Sequence, residues 1–171
     1  MKILGLDPGT RVTGVVVFDS EEGHDGQVLF ADGAMDNALV LQMMERGMLP
    51  HEPSRVVIET MSPRGMNLGR DTFDAIFFAG RLYQQAAAQV RNLCLDGVNP
   101  VERDTIKRVL LGRTNLPGAD SKLRQLLLDE VGPKGTKRAP GPTYGVSKHA
   151  WQALAAVWAF LYILREGANE Q

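Results

Sequence analysis

Two carboxylates stand where a folded chain needs a reason to put them. Asp7 follows the apolar run Lys2 to Leu6 and precedes Pro8 and Gly9, and Glu59 ends the run Val56-Val57-Ile58. A carboxylate at a strand end before a glycine turn is open to a ligand yet held by a rigid element, which is what metal coordination asks for. Asp-Pro-Gly also has a plainer reading, a turn that the aspartate caps locally. Glu59 shifts the balance, because a glutamate beside so apolar a run is costly unless it is solvated, paired or bound to a cation. If the two strands are neighbours, the carboxylates face each other across ~5 Å, the spacing of paired strands. They would repel, and a divalent cation is the usual resolution. A third candidate lies in SKHAWQALAAVWAF, Ser147 to Phe160, an apolar helical pattern whose first turn carries Lys148, His149 and Gln152. His149 and Gln152 stand at i and i+3, hence on one helix face. A lone histidine is more often a satisfied core or surface residue than a ligand, and glutamine offers a cation a carbonyl oxygen but no charge.

The elements that must position these residues can be read from pattern. Lys2 to Leu6, Val12 to Phe18 and Gln27 to Ala31 read as three strands of an antiparallel meander, joined by Asp-Pro-Gly-Thr and by Glu-Glu-Gly-His-Asp-Gly. A helix over 37–48 leads to a buried strand, Arg55 to Glu59. A long helix is expected from about Arg70 to Val90, a fifth strand over Leu93 to Asp96, and helices over Arg103 to Leu111, Asp120 to Val131 and Val146 to Arg165. The sum is an α/β fold, a five-stranded mixed sheet with three antiparallel strands and then parallel ones, flanked by helices. Residues 1–171 suit a single domain. Within it, 132–145 reads as a mobile basic loop rich in Gly and Pro, and 167–171 as a frayed tail.

A net charge of −1 excludes a uniformly basic coat protein but leaves room for a local basic face. The single Cys94 excludes an internal disulfide and reads as a core residue. With no leader pattern and no membrane-length apolar run, a cytoplasmic location is expected. Lys134, Lys137, Arg138 and Lys148 gather around the acid-free loop, while Arg103, Lys107, Arg108, Arg113, Lys122 and Arg124 stud the two preceding helices. On a shared face such bases would bind phosphates; otherwise they are a solvated surface. The helix from Arg70 carries Phe73, Ile76, Phe77, Phe78, Leu82 and Tyr83, more than one packing stripe needs, so a subunit interface is a candidate for the remainder.

Ile3 to Val17, ILGLDPGTRVTGVVV, resembles the opening motif of the RuvC-like Holliday junction resolvases of the ribonuclease H-like superfamily. VVIET, Val56 to Thr60, resembles their second acidic strand, and the segment from Lys148 their last catalytic helix. RDTIKRVLLG and ADSKLRQLLLDEVG resemble the basic helix and its successor, and GPTYGV before the histidine resembles the phage-type branch. The likeness spans nearly the whole chain.

The resemblance implies a ribonuclease H-like fold, a homodimer, and two-metal cleavage of four-way DNA junctions by paired symmetric nicks, in a bacterial or phage-infected cell. It also implies a crossover junction endodeoxyribonuclease activity serving DNA recombination and repair. Asp7 matches the first catalytic aspartate, Glu59 the second-strand glutamate, and His149 a position that takes Asp or His. Asp7 is then the candidate bridging ligand, with Glu59 on one Mg²⁺ ion and His149 on the other, and Mn²⁺ competent in their place. Gln152 falls where the family has its final Asp, so the branch works with a three-ligand site plus Gln152, another acid substitutes, or position 152 carries an inactivating change. Asp120 and Asp104 are candidates, although helix caps and solvated faces also account for them. Lys107 and Lys122 match basic positions used near DNA, and Met61, Arg64 or Met66 would supply a junction wedge. Phe73, Phe77 and Tyr83 mark the expected dimer helix. Two other readings are a junction-binding protein that no longer cuts and a related RNA-processing nuclease.

Overall fold

The computed structural model describes residues 1–20, 26–61, 69–90 and 96–169. Cys94, and Arg64 and Met66 of the expected wedge, lie outside them. The elements follow one another as β1 (Lys2–Pro8), β2 (Val12–Asp19), β3 (Gln27–Asp36), α1 (Asn37–Glu45), β4 (Arg55–Thr60), α2 (Arg70–Gln89), β5 (Gly97–Glu102), α3 (Arg103–Leu111), α4 (Ala119–Glu130) and α5 (Ala150–Asn169). They form a five-stranded sheet in the order β3-β2-β1-β4-β5. The β1–β2 and β2–β3 pairs are antiparallel, and β1–β4 and β4–β5 are parallel.

Strand alternation divides the core in two. Leu4, Leu6, Val56 and Ile58 face α1 and α2, with Phe78, Leu82 and Met44. Ile3, Val57 and Val101 face α5, which packs Ala153, Ala156 and Val157 against the sheet. These small residues let α5 lie close to the strands, and Trp158 and Phe18 meet in a T-shaped pair with ring centroids 5.7 Å apart. Asp7 and Glu59 continue the α5-facing rows, so alternation points both carboxylates towards α5 rather than α2.

Four elements differ from the sequence pattern by three or more residues. The fifth strand is Gly97–Glu102 rather than 93–96, a displacement that Pro100 conceals because proline is a poor strand signal; residues 93–95 lie outside the described residues. β3 runs on to Asp36, with register shifts against β2 between Thr13 and Val15 and between Val17 and Phe18. α1 stops at Glu45, followed by Gly47 in the left-handed region. α5 begins at Ala150, not Val146, because Lys148 has φ 44° and 147–149 form a turn before the helix; the helix runs on to Asn169.

Candidate active site

The last β1–β4 pair is Leu6 with Ile58, so the next position in this parallel register sets Asp7 beside Glu59 at the carboxyl ends of adjacent strands. Open α/β sheets bind ligands at such ends. Asp7 does not cap its own turn. Gly9 N–H donates to Val12 O at 3.0 Å, while the Asn37 side chain donates to Gly9 O at 3.0 Å and accepts from Thr13 Oγ1 at 2.7 Å. The turn is thus closed without Asp7, and Asp7 Oδ2 instead lies 3.0 Å from His149 Nδ1.

The approach of His149 depends on two glycines. Gly14 pairs with Asp7 across the sheet, and a Cβ there would strike the His149 carbonyl group and lie 2.7 Å from its Cβ. A Cβ at Gly33 would collide with the Ser147 carbonyl, and His149 N–H donates to Gly33 O at 3.3 Å. The turn before α5 therefore rests on bare backbone of β2 and β3, which brings His149 over Asp7. His149 is not in the first helical turn as the pattern suggested. It immediately precedes the helix, and its carbonyl accepts from Gln152 and Ala153 N–H at 3.0 and 3.1 Å.

Glu59 is 3% exposed. Its Oε1 accepts from Arg103 Nη1 at 2.8 Å, and its Oε2 is buried with no hydrogen-bond partner. Arg103 Nη2 also reaches both oxygens of Asp120, at 3.0 and 3.2 Å. Burial, and after it the Asp7 carboxylate, push Glu59 up to about 7 against the pull of Arg103. Burial likewise raises Asp7, and His149 only partly offsets it. For Arg103, burial opposes the charge, but Glu59 and Asp120 outweigh it and hold its pKa above the usual arginine value.

Asp7, His149 and Gln152 line an open cleft of about 750 Å³, with Arg103, Asp120, Arg124, Lys134 and Lys148 also on its walls. Asp7 and Arg103 also line a second cavity of about 30 Å³ that reaches Glu59. Arg124 and Lys134 stack over Trp151, 5.2 and 6.0 Å from its ring centre, which holds two of the bases at the cleft. The loop carrying Lys134 has internal bonds, Gly141 N–H to Lys134 O at 2.9 Å and Thr143 Oγ1 to Gly132 O at 2.9 Å. Lys107, Arg108, Lys122, Lys137 and Arg138 lie on α3, α4 and the loop, outside the cleft lining. Met61 lines it. On α2, Phe73, Phe77 and Tyr83 are 58%, 72% and 43% exposed.

In sequence Arg103 reads as one of the helix bases and Asp120 as a candidate substitute acid. Asp120 is not a cap, since Gly118 precedes α4, and Arg103 links it to Glu59. The one hint in sequence is weak: Arg103 opens a helix, where the macrodipole mildly disfavours a cation and a carboxylate partner would offset that cost.

The donor set fits a hard divalent cation, with two carboxylates, an imidazole and one orphaned buried oxygen. Among the described residues no three such side chains already converge as a closed metal site, and Arg103 occupies one Glu59 oxygen.

No protein-family model matches the chain, and no curated protein matches it in sequence. Solved structures do match. Thermus thermophilus RuvC superposes with a TM-score of 0.65 at 17% identity over 98% of this chain and 97% of that one. The chain has the fold of RuvC. T. thermophilus RuvC in complex with a Holliday junction substrate gives 0.66 at 18% identity, covering 98% and 96%. The yeast mitochondrial Holliday junction resolvase Ydc2 gives 0.62 at 11%, covering 94% and 78%. The expected ribonuclease H-like architecture, three antiparallel strands followed by parallel ones between helices, is therefore observed. Among the described residues no helix is long and apolar enough to cross a membrane.

Proposed function

We propose that this protein is a metal-dependent endonuclease that resolves four-way DNA junctions. The observation that carries the reading is Asp7, 3.0 Å from His149 and set by strand register beside the buried Glu59, at a cleft whose walls carry Arg103, Arg124, Lys134 and Lys148. The shared fold with RuvC, one structure of which holds a Holliday junction, supports branched DNA as the substrate.

Asp7, at the strand end nearest both partners, is the proposed bridging ligand, with Glu59 and His149 completing the pair of sites. Two divalent ions held there, Mg²⁺ or Mn²⁺, would supply an activated water and positive charge for the departing 3′ oxygen. Asp7 and Glu59 must ionise to serve, and their raised pKa values keep them protonated more readily until a cation compensates. Lys134, Lys148 and Arg124 bind phosphates and orient the backbone in the cleft, so affinity falls with salt. Gln152, on the cleft wall, contributes a neutral oxygen. Paired symmetric nicks require two sites related by a dyad, and the exposed aromatic side chains of α2 are the proposed homodimer surface. GPTYGV, Gly141 to Val146, keeps the phage-type branch as the closer relationship.

Gln152 and the hold of Arg103 on Glu59 favour one second reading, a junction binder that does not cut. Incubation with a synthetic four-way junction in Mg²⁺ and then Mn²⁺ separates the two. Paired nicks are expected, lost in Asp7→Asn. Tight binding without nicks in either metal establishes the binder, and nicking unaffected by Asp7→Asn overturns the site.

A further inference from the structure

Arg103 sits where a cation is least expected. It is the first residue of α3, whose dipole opposes positive charge at that end. Two carboxylates from different elements hold it, Glu59 of β4 at 2.8 Å and Asp120 of α4 at 3.0 and 3.2 Å. The partners are unequal, Glu59 being 3% exposed and Asp120 59%. One belongs to the interior of the site and the other to its rim. A buried glutamate between an aspartate and a hydrophobic core needs a positive partner whenever it is ionised, and among the described residues Arg103 is the partner that holds it.

We infer that Arg103 is an exchangeable internal cation: it holds Glu59 while no metal is bound, and a divalent ion displaces it to a substrate phosphate. This rests on the nuclease reading and assigns a positioning residue within it. Glu59 Oε2 has no partner and Oε1 is held by the guanidinium, so a divalent ion drawing on both oxygens competes with Arg103 for Oε1. The ion also brings like charge beside the guanidinium. Asp120 keeps Arg103 at the cleft wall, because Nη2 already touches both of its oxygens. The freed Nη1 then faces the same cleft as Arg124, Lys134 and Lys148, where a planar guanidinium suits a phosphate. Lysine lacks the fork needed to span both carboxylates.

The test is Mn²⁺ binding to the whole chain without DNA, followed by the free-ion electron paramagnetic resonance signal, for wild type, Arg103→Met, Arg103→Lys and Asp7→Asn. Arg103→Met is expected to melt lower without metal yet bind Mn²⁺ about tenfold more tightly, the scale on which neighbouring groups alter metal affinity. A purely structural arginine would lower both. Should Arg103→Met fail to fold, Arg103→Lys keeps stem and charge and is expected to show the same rise, reduced. Unchanged or weaker Mn²⁺ binding in the variant that folds overturns the exchange. At saturating Mn²⁺, that variant is expected to cleave a junction more slowly in a single turnover, and cleavage at the wild-type rate overturns the phosphate step. Asp7→Asn separates the two levels of the argument. If it leaves Mn²⁺ binding intact, the metal site itself is wrong; if it abolishes binding while the arginine variants gain nothing, only the role of Arg103 falls.

Discussion

Glu59→Gln should stabilise the metal-free protein at pH 8 and leave it almost unchanged near pH 4.5. Burial, and after it Asp7, raise Glu59 from 4.5 to about 7. A carboxyl whose folded pKa is raised binds its proton more tightly in the folded state, so its stabilising contribution is full below 4.5 and is lost as pH rises through about 7. At about 1.4 kcal/mol per pH unit, that gap makes ionised Glu59 a burden of roughly 2–4 kcal/mol at pH 8. The solvent discount is small, because Glu59 is 3% exposed. Glutamine keeps the shape and removes the charge, and Arg103 retains Asp120. Urea denaturation in EDTA at several pH values, at one protein concentration, measures the difference between variant and wild type and so cancels groups common to both. That difference should grow between pH 4.5 and 7 and then level off. Adding Mn²⁺ at about a hundred times its Kd should return some 2.7 kcal/mol to the wild type and little to the variant. A flat difference across the range, or one that shrinks as pH rises, would refute the claim that Glu59 is an under-compensated buried carboxylate.

Gln152→Asp adds the charge the cleft lacks and is expected to tighten Mn²⁺ binding about tenfold or more in calorimetric titration, with faster junction cleavage; weaker binding would mean that residue 152 does not face the ions. Gly14→Ala forces a Cβ onto the backbone of His149. It should cost roughly 1–3 kcal/mol in denaturant and reduce cleavage more than the stability loss explains; wild-type activity would break the link between that glycine and the site. Lys134→Ala and Lys148→Ala, both on the cleft wall, should each reduce the slope of log affinity against log salt for junction DNA by about one. Unchanged slopes would remove these lysines from the DNA interface.

The fold was legible because its strands and helices differ in period. β1 carries a short apolar run and β2 and β4 β-branched ones, all too short for a helix and buried on both faces, and α3 matches the pattern at both ends. β5 was not legible, since Pro100 and Asn99 suppress the strand signal that parallel pairing with β4 overrides. The start of α5 was obscured for the opposite reason. Its apolar period reaches Val146, while the backbone breaks at Lys148 to rest on Gly14 and Gly33, a contact between segments far apart in sequence.

The site divides along the same line. Asp7 and Glu59 stand out as candidates because each lies near the end of an apolar strand, where an unexplained charge is conspicuous. Arg103 and Asp120 could not be tied to them, because an arginine and an aspartate on amphipathic helices look like any solvated pair until tertiary packing brings α3 and α4 to the sheet end. What joins the two pairs is charge balance. The chain puts a neutral glutamine on the cleft wall, buries a glutamate with one oxygen unpaired, and supplies a guanidinium held from outside by Asp120. An interior so arranged leaves Glu59 short of positive charge, and on the proposed exchange the residue that now partly covers that deficit is the one a metal displaces.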